Sequence, residues 1–221
     1  MVSLPHRLRG GLLAVLLLAL FVQPRAWDAD RMNAAAAKQG PRAAAAVRDL
    51  QLLLVSTQSA PETEQLQVVN QFFNRRVLFT DDTEVWNQND HWASPLETLG
   101  QGRGDCEDYA IGKYFSLLAL GMSSAKLRLV YVRAQIGGPG GPTQPHMVLA
   151  WYETPGAEPL ILDNLIGDVR PASRRPDLVP VFSFNSDGLW QGAGTQSAGD
   201  PVARLSRWRE VLAKARLEGW L

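Results

Sequence analysis

Gly102-Arg103-Gly104-Asp105-Cys106-Glu107-Asp108-Tyr109-Ala110-Ile111-Gly112-Lys113-Tyr114-Phe115 runs from a glycine-rich turn directly into a helical pattern. Ile111, Phe115, Leu118 and Leu120 supply a core face, Tyr109 and Tyr114 read as packing residues, and Gly121 suits the helix end. Cys106, the only cysteine in 221 residues, therefore falls in the first turn. There, unpaired amide N–H groups and the helix dipole favour negative charge and lower a thiol's pKa. A single cysteine is more commonly a small buried hydrophobe. Asp105, Glu107 and Asp108 crowd this one, which argues against a merely apolar site and for a nucleophile.

Outward from this helix the pattern is mixed. Residues 27–45 are alanine-rich and read as a loosely held lead-in; Val47 to Val55 suits a helix, and Ser59 and Pro61 open another carrying Leu66, Val69, Phe72 and Phe73. Thr80 to Trp92 has no clean period and holds Asp81, Asp82, Glu84, Asp90, Trp86 and Trp92, either a solvated loop with aromatic anchors or a binding wall. Ser94-Pro95-Leu96-Glu97 is a capping box, with Gly100 as the expected stop. Beyond Gly121 the period becomes extended, with strands expected at 126–136, 145–152, 159–165 and 181–184. Gly137 to Pro142 reads as a hairpin loop, 188–199 as a surface loop, and 202–217 as a closing helix.

Arg7 and Arg9 precede an apolar run from Leu12 to Val22, followed by Pro24-Arg25-Ala26. Such a run is too short for a spanning helix of about twenty residues and fits an export signal over 1–26, retained as an inner-membrane anchor if cleavage fails. The expected organisation is a lead-in segment and helix over 27–58, then one exported domain over 59–221. Basic and acidic residues number 22 each, and removing Arg7, Arg9 and Arg25 leaves 19 against 22. No basic stripe is present, which argues against nucleic acid as a partner.

A cysteine nucleophile needs a base and a group to orient that base. Of three histidines, His6 lies in the leader and His91 in the acid–tryptophan loop, while His146 begins a strand. A hairpin about Pro155-Gly156-Ala157 makes facing residue numbers sum to about 312, which puts His146 opposite residue 166 and Asp163 roughly a diagonal step away. A bulge or shifted register would bring both onto one face. Asp163 ends an apolar strand, where a carboxylate needs a partner, so it is the expected orienter, with Asp168 as fallback. The acids beside Cys106 oppose its thiolate unless neutralised. A Ca²⁺ ion held by Asp105 and Glu107, with Asp82, Glu84 or Asp90 adding oxygens, would do so; a simple preference of acids for a helix N-terminus stays open. The Cys106 N–H, at a helix start, is an oxyanion donor, and Trp86 or Trp92 a cleft wall.

Val69-Asn70-Gln71-Phe72-Phe73-Asn74, Trp92-Ala93-Ser94-Pro95-Leu96-Glu97, Gly104-Asp105-Cys106-Glu107-Asp108-Tyr109-Ala110 and Leu127-Arg128-Leu129-Val130-Tyr131-Val132 resemble the bacterial transglutaminase-like cysteine proteinases. His146-Met147-Val148-Leu149, Leu162-Asp163-Asn164-Leu165 and Arg174-Arg175-Pro176-Asp177-Leu178 extend the resemblance over roughly residues 60–215. It implies an α+β, papain-like fold in the periplasm, with N-terminal helices and the cysteine-bearing helix packed on an antiparallel sheet, Cys106 as nucleophile, His146 as base then acid, and Asp163 as orienter. It also implies Ca²⁺-dependent activity with Asp105 and Glu107 near the metal. The implied substrate is the N-terminal region of a large surface adhesin, cut after a di-alanine motif to release it and disperse a biofilm. The implied regulator is an inner-membrane cyclic di-GMP receptor that sequesters the protease. Gly137–Gly141 is longer and richer in glycine than the family pattern suggests. A transglutaminase giving the acyl group to an amine, and a calcium-stabilised binding module without turnover, are the alternative readings.

Overall fold

The computed structural model describes residues 27–221; the segment read as an export signal lies outside the described residues. Helices α1 (Ala29–Gln39), α2 (Pro41–Thr57) and α3 (Glu62–Arg76) come first. The alanine-rich lead-in is therefore not loose: it forms α1 and the start of α2, with Met32, Ala36, Ala43 and Ala46 buried. Alanine is the strongest helix former, and its small side chain lets helices approach closely. A pattern written in alanine escapes a reading that looks for large apolar residues. Gly40, at φ 108, breaks α1 from α2 in a conformation open to glycine, and Pro41 starts the next helix.

Strand β1 (Leu78–Phe79) and the short helix α4 (Asp82–Val85) follow, then α5 (Pro95–Gln101). The capping box forms as expected: the Ser94 N–H donates to Glu97 at 2.8 Å and the Glu97 N–H to Ser94 Oγ at 3.2 Å. The helix runs past Gly100 and stops at Gly102, whose φ of 63 is the left-handed cap. Strand β2 (Arg103–Gly104) pairs in parallel with β1, tethering the chain immediately before α6 (Cys106–Ala119). Gly112 lets α6 approach α3, because a Cβ there would overlap the Phe73 ring.

The remaining strands are β3 (Leu127–Gln135), β4 (Thr143–Trp151), β5 (Leu160–Leu162), β6 (Arg170–Pro171), β7 (Leu178–Phe184), β8 (Leu189–Gln191) and β9 (Ser197–Gly199). They form one antiparallel sheet in the order β6-β5-β4-β3-β7-β8-β9. The glycine-rich stretch 188–199, expected as a loop, contains β8 and β9. Helices α7 (Pro201–Arg204) and α8 (Ser206–Glu218) divide the expected closing helix at Leu205. Alternation along β3 and β4 separates two layers. Leu129, Met147 and Leu149 join Tyr114, Phe115, Leu162, Phe184 and Trp208 in the main core against α6. Val130, Val132, Val148 and Ala150 form a smaller cluster on the other side. The architecture is α+β, with α6 lying against β4 and β3.

Candidate active site

Cys106 is the first residue of α6 and half-buried. Its Sγ donates to Glu107 Oε2 at 3.0 Å, and the Met147 backbone also hydrogen-bonds it. Burial pushes the thiol well above its ordinary pKa, with Glu107 and Asp105 adding to the rise and Met147 opposing it. The helix terminus alone does not prevail here; desolvation and two adjacent carboxylates outweigh it.

His146, next to Met147 on β4, is buried. Its Nε2 lies 2.8 Å from Asp163 Oδ1, which leaves Nδ1 as the ring nitrogen for proton transfer. The facing residues of β4 and β5 sum to 311, one less than the hairpin reading gave, as in Leu149 opposite Leu162. Pairing then stops at Leu162, and Asp163 turns to meet His146. Burial raises the Asp163 pKa, but the His146 hydrogen bond and charge, the Leu165 N–H at 3.1 Å and the Arg175 guanidinium together bring it down to about 2. Arg175 Nη2 lies 2.7 Å from Asp163 Oδ2, and the same side chain also grips Asp177 through Nε and Nη2.

Helix α3 fixes the turn carrying Asp163. Asn74 Nδ2 donates to the Asp163 carbonyl at 2.7 Å and Asn70 Nδ2 to the Gly167 carbonyl at 3.0 Å. Gln67 Oε1 accepts from the Val169 N–H at 3.4 Å. Residues 67, 70 and 74 recur at helical spacing, so one face of α3 holds the backbone from 163 to 169.

Five carboxylates surround the start of α6. Oxygens of Asp82, Asp105 and Asp108 lie within 4.8 Å of one another, as do those of Asp82, Asp90 and Glu107. Asp82 accepts from the His91 N–H and Asp108 from the Ala93 N–H at 2.9 Å, yet Asp82 Oδ1, Asp105 Oδ1 and Asp108 Oδ2 are buried without partners. Asp105 occupies the N-cap of α6 but makes no capping hydrogen bond. Burial, then Glu107 and Asp108, raise its pKa to about 10; burial is also the main cause of the upward shifts of Asp108 and Asp82. Orphaned carboxylate oxygens converging at this spacing are the donor set of a hard divalent cation. Glu84 belongs to neither of these groups and is exposed on α4.

The other candidates take structural places. His91 packs tilted against Trp86 with ring centroids 4.4 Å apart, and its Nε2 lies 3.7 Å from Glu97. Trp92 stacks on Phe184 at 5.6 Å. Asp168 is exposed and pairs with Arg170 at 3.0 Å, away from the His146–Asp163 pair. The hairpin loop 137–142 joins β3 to β4, and no atom would meet a Cβ at Gly137, Gly138 or Gly140. Sequence reading missed Arg175, Asn70, Asn74 and Asp108 as site residues, although each sits in a motif quoted above. It also missed Lys113, buried on α6, whose pKa burial pulls down to about 7 against the opposing charge of Asp163.

The family model described as bacterial transglutaminase-like cysteine proteinase matches residues 43–178. Among solved structures, Legionella pneumophila LapG is similar at 36% identity and TM-score 0.72, covering 85% of this chain and 97% of that one. The EGTA-treated form of that protein is similar at 37% identity and TM-score 0.73, with 85% and 97% coverage. Its calcium-bound form gives 36% and 0.73, with 85% and 98% coverage. No curated protein matches the chain.

Proposed function

We propose, from the premise that this chain belongs to the bacterial transglutaminase-like cysteine proteinases, that it is a calcium-dependent periplasmic endopeptidase acting through Cys106, His146 and Asp163. The observation that carries this reading is the buried His146–Asp163 pair at 2.8 Å, placed one residue from the Met147 backbone that bonds the Cys106 thiol. The substrate, following the family resemblance, is the N-terminal region of a large surface adhesin cut at a di-alanine site, whose release disperses a biofilm. An inner-membrane cyclic di-GMP receptor is the proposed inhibitory partner.

In the reaction His146 Nδ1 takes the Cys106 proton, and the thiolate attacks the scissile carbonyl carbon. The backbone N–H of Cys106, at a helix start, stabilises the developing oxyanion. His146 then returns its proton to the leaving amine, and water hydrolyses the thioester to regenerate the thiol. Asp163, itself anchored by Arg175 and Asn74, holds the imidazole in one tautomer and stabilises its charged form. Asp82, Asp90, Asp105, Glu107 and Asp108 are the residues that would hold Ca²⁺. That group would supply positive charge against carboxylates now unpartnered beside the thiol. The calcium-bound neighbour supports this assignment.

The test is cleavage of a purified adhesin N-terminal fragment containing Ala-Ala, with Ca²⁺ and with a chelator. Cleavage that requires Ca²⁺ and is lost in Cys106→Ala is expected. Cleavage by Cys106→Ala would end this mechanism, and cleavage indifferent to chelation would remove calcium from it.

A further inference from the structure

Residues 207, 211, 214 and 218 fall on one stripe of α8, and all but the buried Val211 reach the segment from Asp90 to Glu97. Arg207 Nε donates to the Asp90 carbonyl at 3.1 Å, and its Nη2 lies 3.1 Å from the Asp90 carboxylate. Lys214 Nζ donates to Glu97 Oε2 at 2.8 Å. At the far end of the helix, Glu218 Oε1 accepts from the Ser94 hydroxyl, with both side chains buried. A carboxylate at a helix C-terminus is opposed by the dipole, and burial adds to the cost. Burial accordingly raises the Glu218 pKa to about 7; the Ser94 hydrogen bond opposes the rise and Glu97 adds to it. What this costly group holds is Ser94, and two amides just ahead of Ser94 aim acids of the cluster. The His91 N–H donates to Asp82, and the Ala93 N–H donates to Asp108 at 2.9 Å. With Asp90 gripped by Arg207, three of the five carboxylates assigned to the cation are set by a segment that α8 fixes.

We propose that Glu218 is a positioning residue for cation binding: by fixing Ser94 it holds the His91 and Ala93 amides where Asp82 and Asp108 converge on a divalent cation. The grip of α8 on the segment stands on its own contacts; its consequence for the cation rests on the calcium reading above.

The experiment uses the full chain, with Ca²⁺ titrated by calorimetry and backbone amides followed by NMR in chelator. Glu218→Leu removes the acceptor for the Ser94 hydroxyl, whereas Glu218→Gln keeps an amide oxygen for it. Glu218→Leu is expected to weaken Ca²⁺ binding about fivefold, the worth of one ordinary hydrogen bond. Glu218→Gln is expected to bind as wild type does. In chelator, the His91 and Ala93 amide signals are expected to move in Glu218→Leu and to stay in Glu218→Gln. Should Glu218→Leu not fold, Ser94→Gly removes the hydroxyl at a position where glycine is a tolerated N-cap, and it is expected to show the same loss. Equal Ca²⁺ affinity in wild type and in the folded variant lacking this hydrogen bond overturns the inference. So does an equal loss in Glu218→Gln, which would assign the effect to charge rather than to the grip on Ser94. A wild type that binds no Ca²⁺ removes the calcium reading itself, and this inference with it.

Discussion

Asp163 holds its negative charge because three groups offset its burial, His146, the Leu165 amide and Arg175, while Asn74 fixes its backbone carbonyl. Its folded pKa of about 2 lies below the usual carboxylate value, so its contribution to stability is present above about pH 4 and lost as pH falls through 2. Wild type is therefore expected to lose about 2 kcal/mol more than Asp163→Asn between pH 5 and pH 2, measured by urea unfolding. An equal loss in both would show that Asp163 is not held as a buried anion. Cys106, His146 and Asp163 stood out as candidates in the sequence because the chain offers few competitors: one cysteine, three histidines, and one aspartate ending an apolar strand beside the second half of the hairpin. Arg175 and Asp108 did not, since a surface arginine and a helix-start acid look the same in sequence as these two. What separates them is burial and an orphaned atom, and both depend on which distant segment lies above.

At the level of elements, α3 acts as a clip on the turn that carries Asp163. Asn74→Ala removes a partly buried hydrogen bond to that turn and is expected to cost about 1–3 kcal/mol, read by chemical denaturation. Under the proposed mechanism it is also expected to lower kcat with little change in KM, because the turn it frees carries the carboxylate that holds His146. A KM effect alone would assign Asn74 to binding. Gly112→Ala, which drives a methyl into Phe73, is expected to destabilise by about 1–3 kcal/mol despite alanine's better helix propensity. A stabilised variant would mean that α3 and α6 are free to move apart. Most strand and helix types were readable from periodicity, but α1, written in alanine, and β8 and β9, in a glycine-rich stretch, were not. The β4–β5 register missed by one because the turn at 153–159 sets it, and the α7–α8 break at Leu205 because no glycine marks it.

For the molecule as a whole, the acid cluster around α6 is expected to set the dependence of stability on pH and, under the proposed function, on Ca²⁺. Asp105, with its folded pKa raised to about 10, favours the protonated folded state, a sign opposite to that of Asp163. In chelator the melting temperature is expected to rise as pH falls from about 7 to 5, below the range where the lowered pKa of Lys113 offsets Asp105, since the folded state binds the proton that the unfolded one releases. With Ca²⁺ the melting temperature is expected to be higher at pH 7 and to lose that rise, because a ligand bound only to the folded state stabilises it. Identical curves with and without Ca²⁺ would remove the cation from the fold. Among the described residues no helix is long and apolar enough to cross a membrane.

The most direct measurement is the rate of Cys106 alkylation by iodoacetamide as a function of pH, read by intact mass, with Ca²⁺ and with chelator. Burial, Glu107 and Asp105 hold the thiol pKa high, so cation binding at those acids is expected to move the midpoint to lower pH and speed alkylation at pH 7. Superimposable profiles would contradict the claim that one site couples the acids to the nucleophile.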